Sequence, residues 1–149
     1  MDSLDVILTL NDLIETSTDG EEGFRACAEK ANDPQLKTFF SSRAQACAAA
    51  AIELQDLVPL YGGDPKTRGG LGVALHRRWV DIKLLITGKN DSAVLKECER
   101  GEEVAVADYR RALEKNLPEE VRLVVERQYQ GVLRNQGQVR ALMDRYPSA

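Results

Sequence analysis

Four polar residues fall at positions that the helical pattern of this chain assigns to a hydrophobic core: Glu21, Arg43, Glu102 and Gln128. Two carboxylates brought together in a core lose hydration and repel each other, so a positive group has to lie between them. That group is either a metal ion or the guanidinium of Arg43. We therefore expect these four residues to form a buried polar layer with chemistry of its own.

The guanidinium is the explanation that the residue types favour. Arginine donates five hydrogen bonds in a planar fork, which is enough to bridge Glu21 and Glu102, and Gln128 would satisfy the groups that remain. In the alternative, a metal ion would lie between Glu21 and Glu102. A fixed positive charge weakens such a site, and the single histidine, His76, lies outside the four positions. We expect no metal or other cofactor.

Long helices have to position these residues. Proline, glycine and capping residues predict five helices with short connections: the first roughly 4–31, the second 34–61, the third 70–87, the fourth 91–115 and the fifth from 118 to just before 147. Each of the four polar residues lies on the apolar stripe of one of the four longer helices. No strand pattern competes with them. The sequence predicts an all-α fold in a single domain, residues 1–149.

The two halves of the chain repeat. The tripeptide Gly20-Glu21-Glu22 recurs as Gly101-Glu102-Glu103, and the proline that starts the second helix, Pro34, recurs as Pro118 at the start of the fifth. Each half is then a helical hairpin, and under this repeat Glu21 corresponds to Glu102 and Arg43 to Gln128. Two hairpins joined by a connection that carries the third helix make a four-helix bundle with one long crossover.

Four stretches carry a resemblance to a known family: residues 10–16, 19–24, 75–81 and 97–102, which read LNDLIET, DGEEGF, LHRRWVD and ECERGE. With the hairpin–crossover–hairpin order, the chain resembles the ferritin-like superfamily. More closely, it is similar to small bacterial ferritin-like proteins known only as a domain of unknown function. The resemblance implies a ferritin-like four-helix bundle with an extra crossover helix, and by analogy with relatives it suggests a role in stress physiology.

The resemblance also defines where this chain departs from the superfamily. Its di-iron enzymes use a Glu on each of two helices and a Glu-x-x-His on each of the other two. This chain keeps the first pair as Glu21 and Glu102. The second helix offers neither Glu nor His near Arg43, and the fifth offers Glu126 followed by Tyr129. A carboxylate set without imidazole would hold iron poorly.

The remaining expectations concern partners and location. A net charge of −4 with both signs interspersed argues against nucleic acid as the main partner, and no apolar run is long enough to span a membrane. The acidic N-terminus is unlike a signal peptide, which predicts a cytoplasmic protein. The third helix has a second apolar stripe formed by Val73, Val80 and Leu84, which we expect to pack on a partner subunit as a homodimer.

Three functions remain open from the sequence. The first is a non-catalytic, metal-free bundle that acts through its surface, which the lack of a nucleophile–base pair, phosphate loop or cofactor motif favours over an enzyme. The second, which follows from the resemblance, is a carboxylate-bridged iron or manganese oxidase, or an iron-handling protein, that uses Glu21, Glu102 and Glu126 as metal ligands. The third is a homodimeric interaction module.

Overall fold

The computed structural model describes residues 1–66 and 90–146, and within these ranges the chain forms four long α-helices and no strand. We number them α1 (Ser3–Lys30), α2 (Pro34–Leu57), α3 (Asp91–Leu113) and α4 (Glu119–Arg145). A short 3-10 helix, Val58–Tyr61, extends α2. The predicted helices at 4–31, 34–61, 91–115 and 118–146 are confirmed with small shifts at their ends.

Side-chain caps fix the starts of three helices. Asp2 accepts from Asp5 N at 2.9 Å before α1, Asp33 from Gln35 N at 2.8 Å before α2, and Asn90 from Ser92 N at 2.9 Å before α3. Each cap satisfies one of the backbone N–H groups that a helix start leaves without a partner. These signals are local, which is why the sequence was sufficient to place them.

The helices pack as two antiparallel hairpins. α1 pairs most extensively with α2, α3 with α4, and α1 with α3, whereas α2 and α4 barely touch. We call the end of the bundle that holds the α1–α2 turn the upper end. There the carboxylate of Asp91 accepts from Asn32 N at 2.7 Å and Asp33 N at 3.1 Å, which fixes the start of α3 beside that turn.

The connection between the hairpins leaves from lower down the bundle. Lys66 N donates to the side chain of Asn11 at 2.9 Å, and the Lys66 ammonium lies 3.2 Å from the carboxylate of Glu15. These contacts place the last residue described before the gap against α1, below the α1–α2 turn. Because α3 starts at the upper end, it runs in the same direction as α2, as one long crossover requires.

The apolar core falls into two separate clusters. The upper cluster has these fully buried members: Phe24, Cys27, Leu36, Phe40, Val94, Leu95, Cys98 and Val139. The lower cluster is built around Val6, Leu10, Leu13, Ile14, Leu54, Val58, Val121 and Val125. Between them, every helix presents polar or very small side chains to the bundle axis. The polar centre that the sequence predicted lies in this gap.

None of the described helices holds an apolar stretch long enough to cross a lipid bilayer.

Candidate functional site

The polar centre consists of two layers at different heights. The lower polar layer takes one residue from each helix: Ser17 from α1, Glu53 from α2, Tyr109 from α3 and Gln128 from α4. The upper polar layer lies nearer the α1–α2 turn and consists of Glu102 from α3, Asn135 from α4 and Arg43 from α2. The two layers differ in how many of their polar atoms have a hydrogen-bond partner.

The lower polar layer is a closed hydrogen-bond network. The Tyr109 hydroxyl donates to Gln128 Oε1 at 2.7 Å and lies 3.3 Å from Ser17 Oγ. Gln128 Nε2 donates to Glu53 Oε1 at 2.8 Å and to the backbone carbonyl of Ala50 at 3.3 Å. Arg127 forms an ion pair with the second carboxylate oxygen of Glu53. Through these bonds α4 is connected to α2, although the two helices hardly pack together.

The upper polar layer is built around a carboxyl group that is almost fully buried. Glu102 is 3% exposed, and its Oε1 accepts from Asn135 Nδ2 at 2.6 Å. Glu102 Oε2 and Asn135 Oδ1 are both buried, and neither has a hydrogen-bond partner in the described part of the chain. Leaving a buried polar atom unpaired costs roughly 1–3 kcal/mol, so these two acceptors are an expensive feature of the fold.

Arg43 lies beside this layer but does not bridge its carboxylates. The side chain is half-buried, and its guanidinium carbon lies 5.8 Å from the centroid of the Phe24 ring, a cation–π contact. Its Nε is buried without a hydrogen-bond partner among the described residues. The structure therefore differs from the expected guanidinium bridge, because α2 stands apart from α4 and directs Arg43 to an aromatic face.

The charge of Arg43 still acts on Glu102. Burial raises the pKa of Glu102 from 4.5 to about 7, while the positive charge of Arg43 and the hydrogen bond from Asn135 oppose that rise. Glu102 consequently changes its protonation state near neutral pH. A carboxyl group with such a pKa, in a cavity and with one oxygen unpaired, is typical of a functional site.

A cleft of about 710 Å³ opens between α2 and α4 and reaches both polar layers. We call it the α2–α4 cleft. Glu102, Tyr109 and Gln128 line its inner wall. The middle of the cleft is lined by small side chains, which leave space between the helices: Ala46, Ala49, Ala50, Ala105 and Gly131. Because the α2 residues Ala46 and Ala49 are exposed, the cleft is open to solvent.

Two guanidinium groups lie at the upper part of this cleft. Arg43 lines it from α2 and Arg134 from α4. Arg134 Nη2 lies over Gly131, since a Cβ atom added there would be 3.6 Å from it. The upper part of the cleft thus combines positive charge on its sides with the carboxyl of Glu102 on its inner wall.

The reactive side chains around the cleft are held in their protonated forms. Burial raises the pKa of the Cys47 thiol to about 12, and it also raises the pKa values of the Cys98 thiol and the Tyr109 hydroxyl. A protonated thiol is a weak nucleophile. The three cysteines, Cys27, Cys47 and Cys98, are free, which fits packing as small apolar residues.

The four residues predicted for the polar layer are only partly brought together. Glu21, Glu102 and Gln128 are buried at 3%, 3% and 8% exposure. Glu21, however, pairs with Arg25 of its own helix at 2.6 Å. Gln128 belongs to the lower layer, and the partner of Glu102 from α4 is Asn135. Glu21 is therefore paired with Arg25, whereas Glu102 accepts a hydrogen bond from the Asn135 amide and is influenced by the charge of Arg43.

The described residues do not fit the di-metal centre of the alternative hypothesis. Glu126, its proposed third ligand, is exposed on α4, 3.8 Å from Arg122. Glu21 and Glu102 are engaged by Arg25 and Asn135. Within residues 1–66 and 90–146, no three His, Cys, Asp or Glu side chains are grouped as a cation would require.

Sequence reasoning missed Asn135 and Glu53 as partners in these layers. Asn135 is 1% exposed and lies seven residues after Gln128 on the same stripe of α4. Its position on that stripe is the signal that could have identified it. Glu53 is half-buried and lies beside the stripe of α2, so no sequence signal separated it from an ordinary surface glutamate. The predicted dimer residues, Val73, Val80 and Leu84, lie outside the described residues, as does the predicted helix 70–87.

Comparison with known proteins gave a family match and matches among solved structures. A family whose description reads "Domain of unknown function (DUF2383)" matches residues 5–115. Among solved structures, a mutant of Dps1 from Mycobacterium smegmatis has a TM-score of 0.81 with 18% sequence identity, covering 95% of this chain and 96% of that one. No curated protein matches the chain significantly.

The structural match concerns the fold. At 18% identity it shows that the chain has the ferritin-like four-helix architecture that the resemblance implied, with all-α helical hairpins and a crossover. Function has to be argued from the site, since one fold hosts many activities.

Proposed function

The chain belongs to the family described as Domain of unknown function (DUF2383), and we propose that it is a non-catalytic, metal-free ferritin-like bundle that binds a small organic molecule in the α2–α4 cleft. The observation that carries this proposal is the carboxyl of Glu102, buried at the inner wall of the cleft with one oxygen unpaired. A ligand that supplies the missing hydrogen bond would remove a cost that the fold otherwise carries.

The metal-free part of the proposal is supported by the donor set. A di-metal centre needs several carboxylates and imidazoles that converge with open positions toward the cation. Here Glu21 is paired with Arg25, and Glu102 accepts from Asn135. The positive charge of Arg43 beside Glu102 would also oppose a second cation.

The binding part of the proposal is supported by the shape and lining of the cleft. Its volume of about 710 Å³ falls within the range of small-molecule sites, which are mostly apolar with a few placed polar groups. The small side chains of Ala46, Ala50 and Gly131 provide apolar walls. Glu102 and Arg43 supply an acceptor and a donor at one end.

Metal content tests the first part. Protein expressed in medium rich in iron and manganese, then dialysed, should retain either metal at far below one equivalent per chain by elemental analysis. One or two equivalents that survive dialysis would support the iron or manganese oxidase instead and end the metal-free proposal.

Binding in the cleft is tested with an uncharged probe that reports on the apolar walls alone. Titration of the ¹⁵N-labelled protein with 3-methyl-1-butanol should shift the backbone amide signals of cleft residues such as Ala46, Ala50 and Gly131. In the variant Ala50→Phe, which fills the cleft, these shifts should disappear.

The matched control is Ala48→Phe, because Ala48 is half-buried on the same helix and does not line the cleft. It should keep the shifts, provided that its circular dichroism melt shows a folded protein. If the amide signals of the cleft residues do not shift in the wild-type protein, or if both variants lose the shifts equally, there is no binding site between α2 and α4.

The cellular setting completes the proposal. We propose a cytoplasmic location and, by analogy with the ferritin-like proteins that the chain resembles, a role in stress physiology. Cell fractionation tests the location. Survival of a deletion strain under oxidative stress, with complementation by wild type and by Ala50→Phe, tests the role and its dependence on the cleft. Survival equal to that of the parent strain would remove the stress proposal.

A further inference from the structure

The upper end of the α2–α4 cleft offers two opposite charges to one ligand. Glu102 lines the cleft from α3 and Arg43 lines it from α2, and Glu102 Oε2 and Arg43 Nε are buried without a hydrogen-bond partner in the described part of the chain. The two side chains form no ion pair within 4 Å, so neither satisfies the other. A molecule between them would need a hydrogen-bond donor on one side and an acceptor on the other.

The acceptor side of the site is built and rigid. Glu102 is 3% exposed and is held by the 2.6 Å hydrogen bond from Asn135. Its free oxygen is suited to an ammonium group, since hydrogen bonds between charged partners are about twice as strong as neutral ones. Because the carboxyl is already oriented, binding does not require a flexible side chain to be ordered.

The donor side of the site is positive. Arg43 lies over the Phe24 ring with its Nε unpaired among the described residues, and Arg134 lines the cleft from α4 with its Nη2 beside Gly131. Two guanidinium groups from opposite helices suit a carboxylate, which accepts hydrogen bonds in the planar geometry that arginine offers. An uncharged ligand would form no ion pair with these guanidinium groups.

The space between the polar layers is apolar and small-walled. Ala46, Ala50, Ala105 and Val132 line it, and the lower polar layer closes it with bonds that are already complete. This region therefore suits a short branched hydrocarbon, whereas a long or polar chain would meet the closed network below.

From this arrangement we propose that the α2–α4 cleft binds a small aliphatic amino acid, with its ammonium group on Glu102, its carboxylate between Arg43 and Arg134, and its side chain against the alanines. The inference rests on the proposed function, because it names the ligand class of the same cleft. No residue performs a reaction on the ligand, and the step is reversible binding.

The test compares L-leucine with two analogues that each lack one charge: 3-methylbutylamine, which has no carboxylate, and 4-methylpentanoate, which has no ammonium group. Isothermal titration calorimetry on the full chain at pH 8 should give the tightest binding for L-leucine, with each analogue roughly 10-fold weaker or more. At this pH Glu102 is ionised for the greater part, given its pKa of about 7.

Variants assign each charge to its residue. Glu102→Gln should weaken L-leucine and 3-methylbutylamine by roughly 10-fold while leaving 4-methylpentanoate unchanged. Arg43→Met should weaken L-leucine and 4-methylpentanoate by a similar factor while leaving 3-methylbutylamine unchanged. Glu99→Gln is the control on the same helix, since Glu99 pairs with Arg140 and does not line the cleft, and it should change none of the three affinities. Circular dichroism melts confirm that each variant is folded.

The outcomes separate this inference from the proposed function. If either singly charged analogue binds as tightly as L-leucine, or if L-leucine fails to bind while 3-methyl-1-butanol still shifts the cleft signals, the amino-acid inference is overturned and the cleft remains a binding site. If neither L-leucine nor 3-methyl-1-butanol binds, both proposals fall. Binding of L-leucine that Glu102→Gln and Arg43→Met leave unaltered would also overturn the inference.

Discussion

The two polar layers of this bundle lie one above the other between the two apolar clusters, yet only the lower one is completely hydrogen-bonded among the described residues. In the lower polar layer, Ser17, Glu53, Tyr109 and Gln128 satisfy one another, with Arg127 on the remaining oxygen of Glu53. In the upper polar layer, Glu102, Asn135 and Arg43 each keep a buried polar atom that has no hydrogen-bond partner within residues 1–66 and 90–146. A complete hydrogen-bond network stabilises the fold, whereas an incomplete network beside a cleft indicates a ligand-binding site.

Packing explains why the layers differ. The lower layer bridges the gap between α2 and α4 through Gln128 and Glu53, so its atoms meet. Higher up, the small residues Ala46, Ala50 and Gly131 line the cleft and leave space between the helices. Both Glu102 and Arg43 line this cleft, but Glu102 accepts from Asn135 and Arg43 contacts the Phe24 ring, so the two do not pair. The same splay that creates the cavity leaves the polar atoms unsatisfied.

The largest expected effect comes from removing the buried charge of the upper layer. The pKa of Glu102 is raised from 4.5 to about 7, so the folded protein holds this proton more tightly than the unfolded chain. The free energy of unfolding should therefore fall as pH rises from 4.5 to 7 and then level off. Glu102→Gln should be more stable than wild type at pH 8 by about 3 kcal/mol, a difference that vanishes near pH 4.5.

Denaturant titrations at pH 5 and pH 8 measure this difference. Glu103→Gln is the matched control, because Glu103 is the exposed neighbour of Glu102, and it should alter stability little at either pH. If the free energy of unfolding depends on pH equally in wild type and Glu102→Gln, the Glu102 carboxyl is solvated and its burial carries no cost.

A substitution in the lower polar layer is expected to lower the free energy of unfolding, by less than Glu102→Gln raises it. Gln128→Leu removes the acceptor of the Tyr109 hydroxyl and the donor to Glu53. This should lower the free energy of unfolding by about 2 kcal/mol, and the loss should be nearly the same at pH 5 and pH 8 because Gln128 carries no charge. Gln130→Leu, an exposed change on the same helix, is the control. A neutral or stabilising Gln128→Leu would show that the lower network does not hold α4 to α2.

The smallest effect is expected for Arg43. Its contact with Phe24 is a cation–π interaction worth about 0.5–1 kcal/mol, and it bridges no carboxylate. Arg43→Met should therefore cost about 1 kcal/mol or less at pH 5, where Glu102 is protonated, and more at pH 8, where Arg43 opposes the rise in the pKa of Glu102. A loss of roughly 3–5 kcal/mol at both pH values would instead indicate the buried guanidinium bridge that the sequence suggested.

Local sequence signals predicted most of the fold. Asp33-Pro34 marked the start of α2 and Asn90 that of α3, because a cap acts within a few residues of itself. The end of the second helix was less exact. It was predicted to run to about residue 61, but α2 ends at Leu57 and continues as a 3-10 turn, since Pro59 has no N–H to donate to the residue four positions earlier.

The site was harder to predict because its pairing depends on how the helices stand against each other. Counting from Leu117 places Glu102 15 residues before the turn, Gln128 11 after it and Asn135 18 after it. The offsets from Glu102 are thus 4 and 3 residues, too similar to choose between the two partners. The stripe correctly predicted that Glu102 and Gln128 are buried. The position of Arg43 depended on the separation of α2 from α4, which no local pattern encodes.

The measurement that tests the central claim most directly is a ¹³C NMR titration of the Glu102 side-chain carboxyl, assigned by comparison with Glu102→Gln. The account predicts a pKa near 7 in the free protein, because the group is buried with one oxygen unpaired, and a lower pKa with saturating L-leucine, because an ammonium partner favours the ionised form. A carboxyl that titrates near 4.5, or one whose pKa is unchanged by L-leucine, would contradict it.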